Sequence, residues 1–220
     1  MAIQRYRPTY TQLEESEVRE WRDIPPAIAA DCLNREHFMS AAIKPIAPGL
    51  RLAGQARTVH SMVGDNGVSH VATGLLRQGE VLVIDAGGFE DVAVWGGIAT
   101  RAAMHRGAAG VVINGAVRDA AEIRALAFPC FVRAIVPGGP HKGWGGTIDG
   151  PIACAGCPVR PGDIVLGDDD GVCVVPLERR VEIHAACLAR LQQEEEWMRQ
   201  IEAGHAMAQI LGLPEAEIIE

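Results

Sequence analysis

An arginine and an aspartate stand side by side where an apolar run ends, in INGAVRDAAEI, residues 113–123. The run reads as a buried strand that delivers a Gly, two small residues and then Arg118 and Asp119. The carboxyl ends of strands are where α/β sheets place their ligands. Arg118 can grip a carboxylate or enolate oxygen with its planar fork. Asp119 can bind a hard divalent cation directly. A plainer reading competes: Asp119 as the N-cap of a helix over Ala120–Leu126, with Arg118 in a surface ion pair.

The second segment with chemical potential is DAGGFEDVAVWGGIATRAA, residues 85–103. Gly96-Gly97 lies at a helix start, which would leave the amides of Gly97, Ile98 and Ala99 free to bind an anion such as the carboxylate of a 2-oxo acid. The alternative is that both glycines serve only close helix–sheet contact. DAGGFED is not a dinucleotide loop, because Gly87 and Gly88 are adjacent and Glu90 and Asp91 would face the phosphates. The Asp-rich stretch 161–176 lacks the spacing and closing Glu of a calcium loop, so Asp163 and Asp168–Asp170 are expected in turns. Cys154-Ala-Gly-Cys157 is a lone CxxC without the second ligand pair of a zinc site. The histidines form neither HxH nor HExxH, so oxygen ligation, hence magnesium or manganese, fits better than a His-rich zinc site. Glu194-Glu195-Glu196 reads as a solvated helix face, or as a carboxylate reaching a neighbouring subunit.

The elements that must position these groups follow from periodicity and punctuation. A charged helix carrying Leu13, Val18 and Trp21 is broken by Pro25-Pro26. A second covers Ala27–Leu33 and a short one Arg35–Ala42. Arg51–Val59 alternates apolar and polar residues, as a half-buried strand does. Glu80–Asp85, Gly110–Asn114 and Pro129–Val136 read as strands, the first two as buried runs. His70–Arg77, Trp95–Arg106 and Ala120–Leu126 read as helices between them. That alternation predicts a parallel or mixed sheet with helices packed on it. Ile152–Ala155, Ile164–Leu166 and Gly171–Val175 are expected as short antiparallel strands. Residues 177–204 are expected as one long charged helix, with a last short helix before Glu220.

Composition narrows the class. At 220 residues, one domain is the expectation, with a core near 27–180 and a helical extension over 177–220. Aromatics supply only 5% of residues against 48% hydrophobic, so Ala, Val, Ile and Gly must do most of the packing. A net charge of −8 with no basic stripe argues against nucleic-acid binding. No segment is apolar for long enough to span a bilayer, and the N-terminus lacks an apolar signal region. Six scattered cysteines suggest reduced thiols in a cytoplasm.

INGAVRD, with WGGIATRAA before it and PVRPGDIVLGDDDGVCVVP after it, resembles the RraA-like family over roughly residues 27–180. That family includes class II pyruvate aldolases acting on 4-hydroxy-4-methyl-2-oxoglutarate and 4-carboxy-4-hydroxy-2-oxoadipate, and the RraA regulators of ribonuclease E. The resemblance implies an α/β fold of the swivelling β/β/α type, with a helical N-terminal segment and a long C-terminal helix, assembled as trimers or hexamers. It implies a metal-dependent carbon–carbon lyase that releases pyruvate from a 4-hydroxy-2-oxo acid, and oxaloacetate decarboxylation through the same enolate. Arg118 matches the arginine on the keto oxygen, and Asp119 the magnesium ligand. Ile98 and Ala99, after Gly96 and Gly97, match positions whose amides bind the pyruvyl carboxylate. Glu194 is the nearest match to a glutamate given by the adjacent subunit. One departure stands out: where the aldolases carry an acidic residue, this chain has Gly97. The family's other branch implies a non-catalytic protein that binds a ribonuclease.

Overall fold

The computed structural model describes residues 2–219. In chain order the elements are β1 (Ile3–Arg5), α1 (Glu15–Glu20), α2 (Pro26–Cys32), β2 (Lys44–Pro45), β3 (Leu52–Ser61), α3 (Gly67–Gly74), β4 (Glu80–Asp85), β5 (Ala93–Trp95), α4 (Gly97–His105), β6 (Gly110–Val117), α5 (Ala120–Ala125), β7 (Cys130–Ile135), β8 (Gly146–Ile148), β9 (Ile152–Cys154), β10 (Cys157–Val159), β11 (Ile164–Asp168), β12 (Gly171–Val175), α6 (Arg180–Glu202) and α7 (Met207–Ile210). A 3₁₀ turn, Leu177–Arg179, leads into α6.

The centre is a parallel array, β3-β4-β6-β7. Its strands are near-continuous Val/Ile/Leu runs because both faces are covered. On one face Leu82, Ile84, Val111 and Ile113 pack with Val68 and Ala72 of α3, Ala99 and Ala103 of α4, and Ile123 of α5. On the other, Val81, Val83, Val112 and Phe131 pack against Cys154, Cys157 and Val159 of the small β9–β10 hairpin. The result is three layers: hairpin, sheet, helices. β3 is long enough to hold two antiparallel neighbours on its outer edge, β11 along Leu52–Gln55 and β8 along Val59–Ser61. A third cluster seats α1, α2 and α6 on the β11–β12 hairpin through Trp21, Ile28, Leu33, Ile164, Leu166, Ile183 and Cys187. The layered α/β architecture and the long C-terminal helix match the expectation.

Several local expectations are corrected. No helix forms over Arg35–Ala42, because Asn34, Arg35 and His37 have φ near +60°. That segment instead bonds along β12, Met39 N–H to Val172 O and Val174 N–H to His37 O. Trp95 belongs to β5, and α4 begins after it. α3 starts at Gly67, earlier than His70, and ends at Gly74. The largest surprise lies on β3. Two of its polar residues do not face water: Gln55 and Arg57 are buried. The N-terminal segment covers them, with Leu13 N–H donating to Gln55 Oε1 and Tyr10 O–H to Glu80 Oε1. Asp168–Gly171 forms the β11–β12 turn, where Asp169 accepts from Gly49 N–H. Among the described residues no helix is long and apolar enough to cross a membrane.

Candidate active site

Parallel pairing of two strand ends builds the site. Trp95 of β5 lies in register with Val117 of β6, and Arg118 N–H donates to Trp95 O at 3.0 Å. The chain leaves Trp95 through Gly96 into α4 and leaves Val117 through Arg118-Asp119 into α5. Two helix starts are thereby set side by side. Gly96 is required by this closeness, because a Cβ there would lie 2.5 Å from Asp119 Oδ2 and 3.2 Å from Arg118 Cγ. The first turn of α4 is pinned by Trp95 Nε1–H to Thr100 Oγ1 at 2.8 Å and by Thr100 O–H to Gly96 O at 3.1 Å.

Asp119 does occupy the N-cap position of α5, but its side chain makes no cap bond, and its backbone is left-handed at φ 58° and ψ 34°. Asp is one of the few residues that tolerate this region. The turn directs the carboxylate toward α4, where Oδ2 accepts from Gly97 N–H at 3.0 Å. No protein donor among the described residues meets Oδ1. Arg118 is freer still. Its nearest carboxylate contact is 3.8 Å, Nε to Asp119 Oδ2, beyond hydrogen-bond reach. Its guanidinium rests against Gly139, where a Cβ would come within 2.6 Å of Nη1. The two side chains are 45% and 42% exposed, so both can be reached from solvent.

Of the three amides expected at the start of α4, Gly97 N–H is already spent on Asp119. Those of Ile98 and Ala99 have no partner among the described residues and lie in a helix N-terminal turn, where the dipole favours an anion. Gly97 has a further consequence. A Cβ there would collide with the carboxylate of Glu122, which is held by Arg101 Nε–H at 2.7 Å. The volume a side chain would take at position 97 is thus occupied by a carboxylate from α5. Glu122 was not expected from the sequence, although its place three residues after Asp119 puts both on one helix face.

Arg118 and Asp119, with Trp95, Gly96, Ile98 and Ala99, line a cleft of about 180 Å³. Asn66, His70, Ala93, Pro140 and Lys142 complete it. These last lie far from the Arg-Asp pair in sequence, and no local pattern marks them. Burial, then the charge of Lys142, lowers the His70 pKa from its ordinary value and favours the neutral ring. Glu194 does not line the cleft. It sits on α6 with Arg190 at 3.1 Å, and Arg190 also reaches Asp31 at 3.5 Å. No group of three or more His, Cys, Asp or Glu side chains gathers to hold a metal among the described residues. The fitting donor is Asp119 Oδ1. A hard cation of the magnesium type commonly takes only one or two carboxylates and fills its shell with water and substrate oxygens. The CxxC pair sits buried on β9–β10, and burial pushes the Cys157 thiol up to about 12, so it is not a reactive thiolate.

Fold and site together define an α/β protein with a cleft, lined by Arg118 and Asp119, at the carboxyl ends of parallel strands. The RraA-like family profile, described as Aldolase/RraA, matches residues 26–174. The chain belongs to that family. It is 37% identical over 166 residues, 76% of this chain and 79% of the relative, to a putative 4-hydroxy-4-methyl-2-oxoglutarate aldolase of Halalkalibacterium halodurans. Among solved structures it resembles Streptomyces coelicolor RraAS2, described as an unusual member of the RNase ES inhibitor RraA family, with TM-score 0.78 and 27% identity over 88% of this chain and 100% of that one. It also resembles the RNA-processing inhibitor RraA of Thermus thermophilus, with TM-score 0.63 and 31% identity over 69% of this chain and 92% of that one.

Proposed function

We propose that this protein is a divalent-metal-dependent carbon–carbon lyase that cleaves a 4-hydroxy-2-oxo acid and releases pyruvate, with oxaloacetate decarboxylation as a related activity. The observation that carries this reading is the pair of uncommitted groups on one cleft, the Arg118 guanidinium and Asp119 Oδ1. A surface ion pair would have spent them on each other. The aldolase name of the Halalkalibacterium relative supports the same reaction class.

In this reading the amides of Ile98 and Ala99 receive the substrate carboxylate, and Arg118 donates to the 2-oxo oxygen. Asp119 Oδ1 would hold Mg²⁺ or Mn²⁺ here. Bound there, the ion supplies Lewis-acid polarisation of the keto group. Water in the open cleft takes the C4 hydroxyl proton, C4 becomes a carbonyl, and the C3–C4 electron pair passes to the pyruvate enolate, which takes a proton from water at C3 as pyruvate leaves. Arg118 meets the charge that gathers on the enolate oxygen. Glu122, in the space left by Gly97, provides the second carboxylate beside Asp119. A trimeric or hexameric assembly would bring Glu194 of a neighbouring copy toward this site, and sedimentation measurements test that part.

The deciding experiment is a coupled pyruvate assay over a panel of oxo acids, with magnesium and with chelator, on the protein and on Arg118→Ala and Arg118→Lys. Loss of one preorganised donor costs on the order of 10² to 10³ in rate. A chelator-insensitive rate, or full activity in both variants, would overturn the reading. The similarity to RraA inhibitors supplies the competing outcome: stoichiometric capture of a ribonuclease with no metal affinity.

A further inference from the structure

The lyase reading gives the six cysteines no task, yet two of them meet at the root of α6. One face of that helix packs on α1 and α2. His184 stands edge-on to Trp21, just past α1, with ring centroids 5.0 Å apart. Arg190 reaches Asp31 of α2 at 3.5 Å. Cys187 lies between these contacts, three residues from each and on the same helix face. Cys32 is next to Asp31 on α2. The flanking contacts thus hold Cys187 against Cys32, and Cys187 S–H donates to Cys32 Sγ. Both belong to the apolar cluster that seats α6. Among the described residues, none of α6 beyond Cys187 is buried. The pair therefore sits at the last point where the helix is anchored in the core.

The two thiols are not equivalent. Cys187 is fully buried. Burial, followed by the Cys32 neighbour, pushes its thiol up to about 12, so it keeps its proton. Cys32 is only half-buried and can be reached by a small molecule. An accessible thiol beside a shielded one is the arrangement of an attacking and a resolving cysteine. No other cysteine offers it. Cys154 and Cys157 face each other across the β9–β10 hairpin, but both are buried. Cys173, also near Cys187, is buried too.

We propose that Cys32 and Cys187 form a redox-sensitive pair, which a small disulfide converts into a covalent staple between α2 and α6. The Cys32 thiolate attacks one sulfur of the small disulfide, forms a mixed disulfide and releases one small thiol. Cys187 then gives its proton to solvent and attacks Cys32 Sγ, and the second small thiol leaves with a proton. Two protein thiols lose two electrons and two protons, and the small disulfide is reduced to two thiols. The staple fixes the root of α6 and, through it, the charged outer half of the helix that carries Glu194. The inference does not depend on the lyase reading.

The test uses the whole chain. The protein is incubated with oxidised glutathione, alkylated with iodoacetamide in denaturant and mapped by mass spectrometry. Alkylated thiols should fall by two from six, with one cross-linked peptide joining Cys32 to Cys187. Closing so long a loop should raise Tm by roughly 5–10 °C, and dithiothreitol should reverse both changes. Cys187→Ser should stop at a glutathione adduct on Cys32. If that buried variant does not fold, Cys32→Ser decides, because its half-exposed position tolerates the change: the cross-link and the Tm rise should vanish together. Six alkylated thiols after oxidation would overturn the proposal. So would a glutathione adduct on Cys32 of the parent that never resolves, or a bond between Cys154 and Cys157, or between Cys173 and Cys187, with Cys32 left free.

Discussion

Of the arginines with carboxylates beside them, Arg57 and Arg118 have opposite fates. Arg57, midway along β3, is fully buried and gives two bonds to Glu80 (2.9 and 3.1 Å) and two to Asp149 (2.8 and 2.9 Å). Tyr10 and Arg5 close the cluster from the N-terminal segment. The carboxylates raise the guanidinium's pKa against the opposing effect of burial, and burial followed by Glu80 raises that of the Tyr10 phenol. Every charge in the cluster is spent on holding the chain together. Arg118 gives its neighbour nothing closer than 3.8 Å and remains half-exposed on a cleft. The same two residue types therefore make a structural rivet in one place and an uncommitted, solvent-accessible pair in the other. What separates them is whether the donors are already committed.

Mutation should divide the two regions cleanly. The largest effect is expected for Arg57→Ala, which leaves the buried Glu80 carboxylate without its cation and Asp149 with Arg5 alone. Breaking a buried pair costs about 3–5 kcal/mol, and at this chain length each kcal/mol moves Tm by about 2–4 °C. A fall of roughly 10 °C in a thermal scan is expected, whereas Arg118→Ala should stay within the ~0.5 kcal/mol of ordinary surface substitutions while losing the proposed activity. Similar Tm shifts in both would dissolve the contrast.

Next comes Gly96→Ala, whose new methyl would push against Asp119 Oδ2 and Arg118 Cγ. Displacement of a reacting group by about 1 Å can cost 10²-fold, so a steady-state assay should show a fall of that order with little change in Tm. An active Gly96→Ala variant would mean that Arg118 and Asp119 are not held as tightly as they look.

The smallest effect concerns pH. His70 has its pKa lowered in the fold, first by burial and then by Lys142. The unfolded chain binds the proton more readily, so this group's stabilisation is full above the unfolded value near 6.5 and is lost as pH falls through it. Because the ring is partly exposed and screened by solvent, the effect should stay below about 0.5 kcal/mol. His70→Gln should lose slightly less Tm than the parent between pH 8 and pH 5.5. An equal loss would show that the ring is unperturbed, and a greater loss that its pKa is shifted the other way.

Much of the scaffold was legible before folding. EVLVID became β4 with its expected bounds, and GVVIN became the first part of β6. The Arg118-Asp119 pair was recognisable because it follows a buried strand. The expected helix over Arg35–Ala42 failed because a tertiary partner, β12, took its backbone bonds. Arg57 was misplaced for a similar reason: alternation along β3 marks two faces but does not say whether the N-terminal segment will cover the polar one. Glu122 was missed because it meets the start of α4 only through a distant neighbour, Gly97.

By itself, the chain's order of residues determined the buried strands, the glycine at the start of α4 and the Arg118-Asp119 pair at the end of β6, because hydrophobic period and turn chemistry are local properties. Only the tertiary structure decided which arginine keeps its donors free and which carboxylate fills the space at Gly97. Those outcomes depend on through-space pairing, such as Trp95 beside Val117, that parallel crossovers create between residues far apart in the chain.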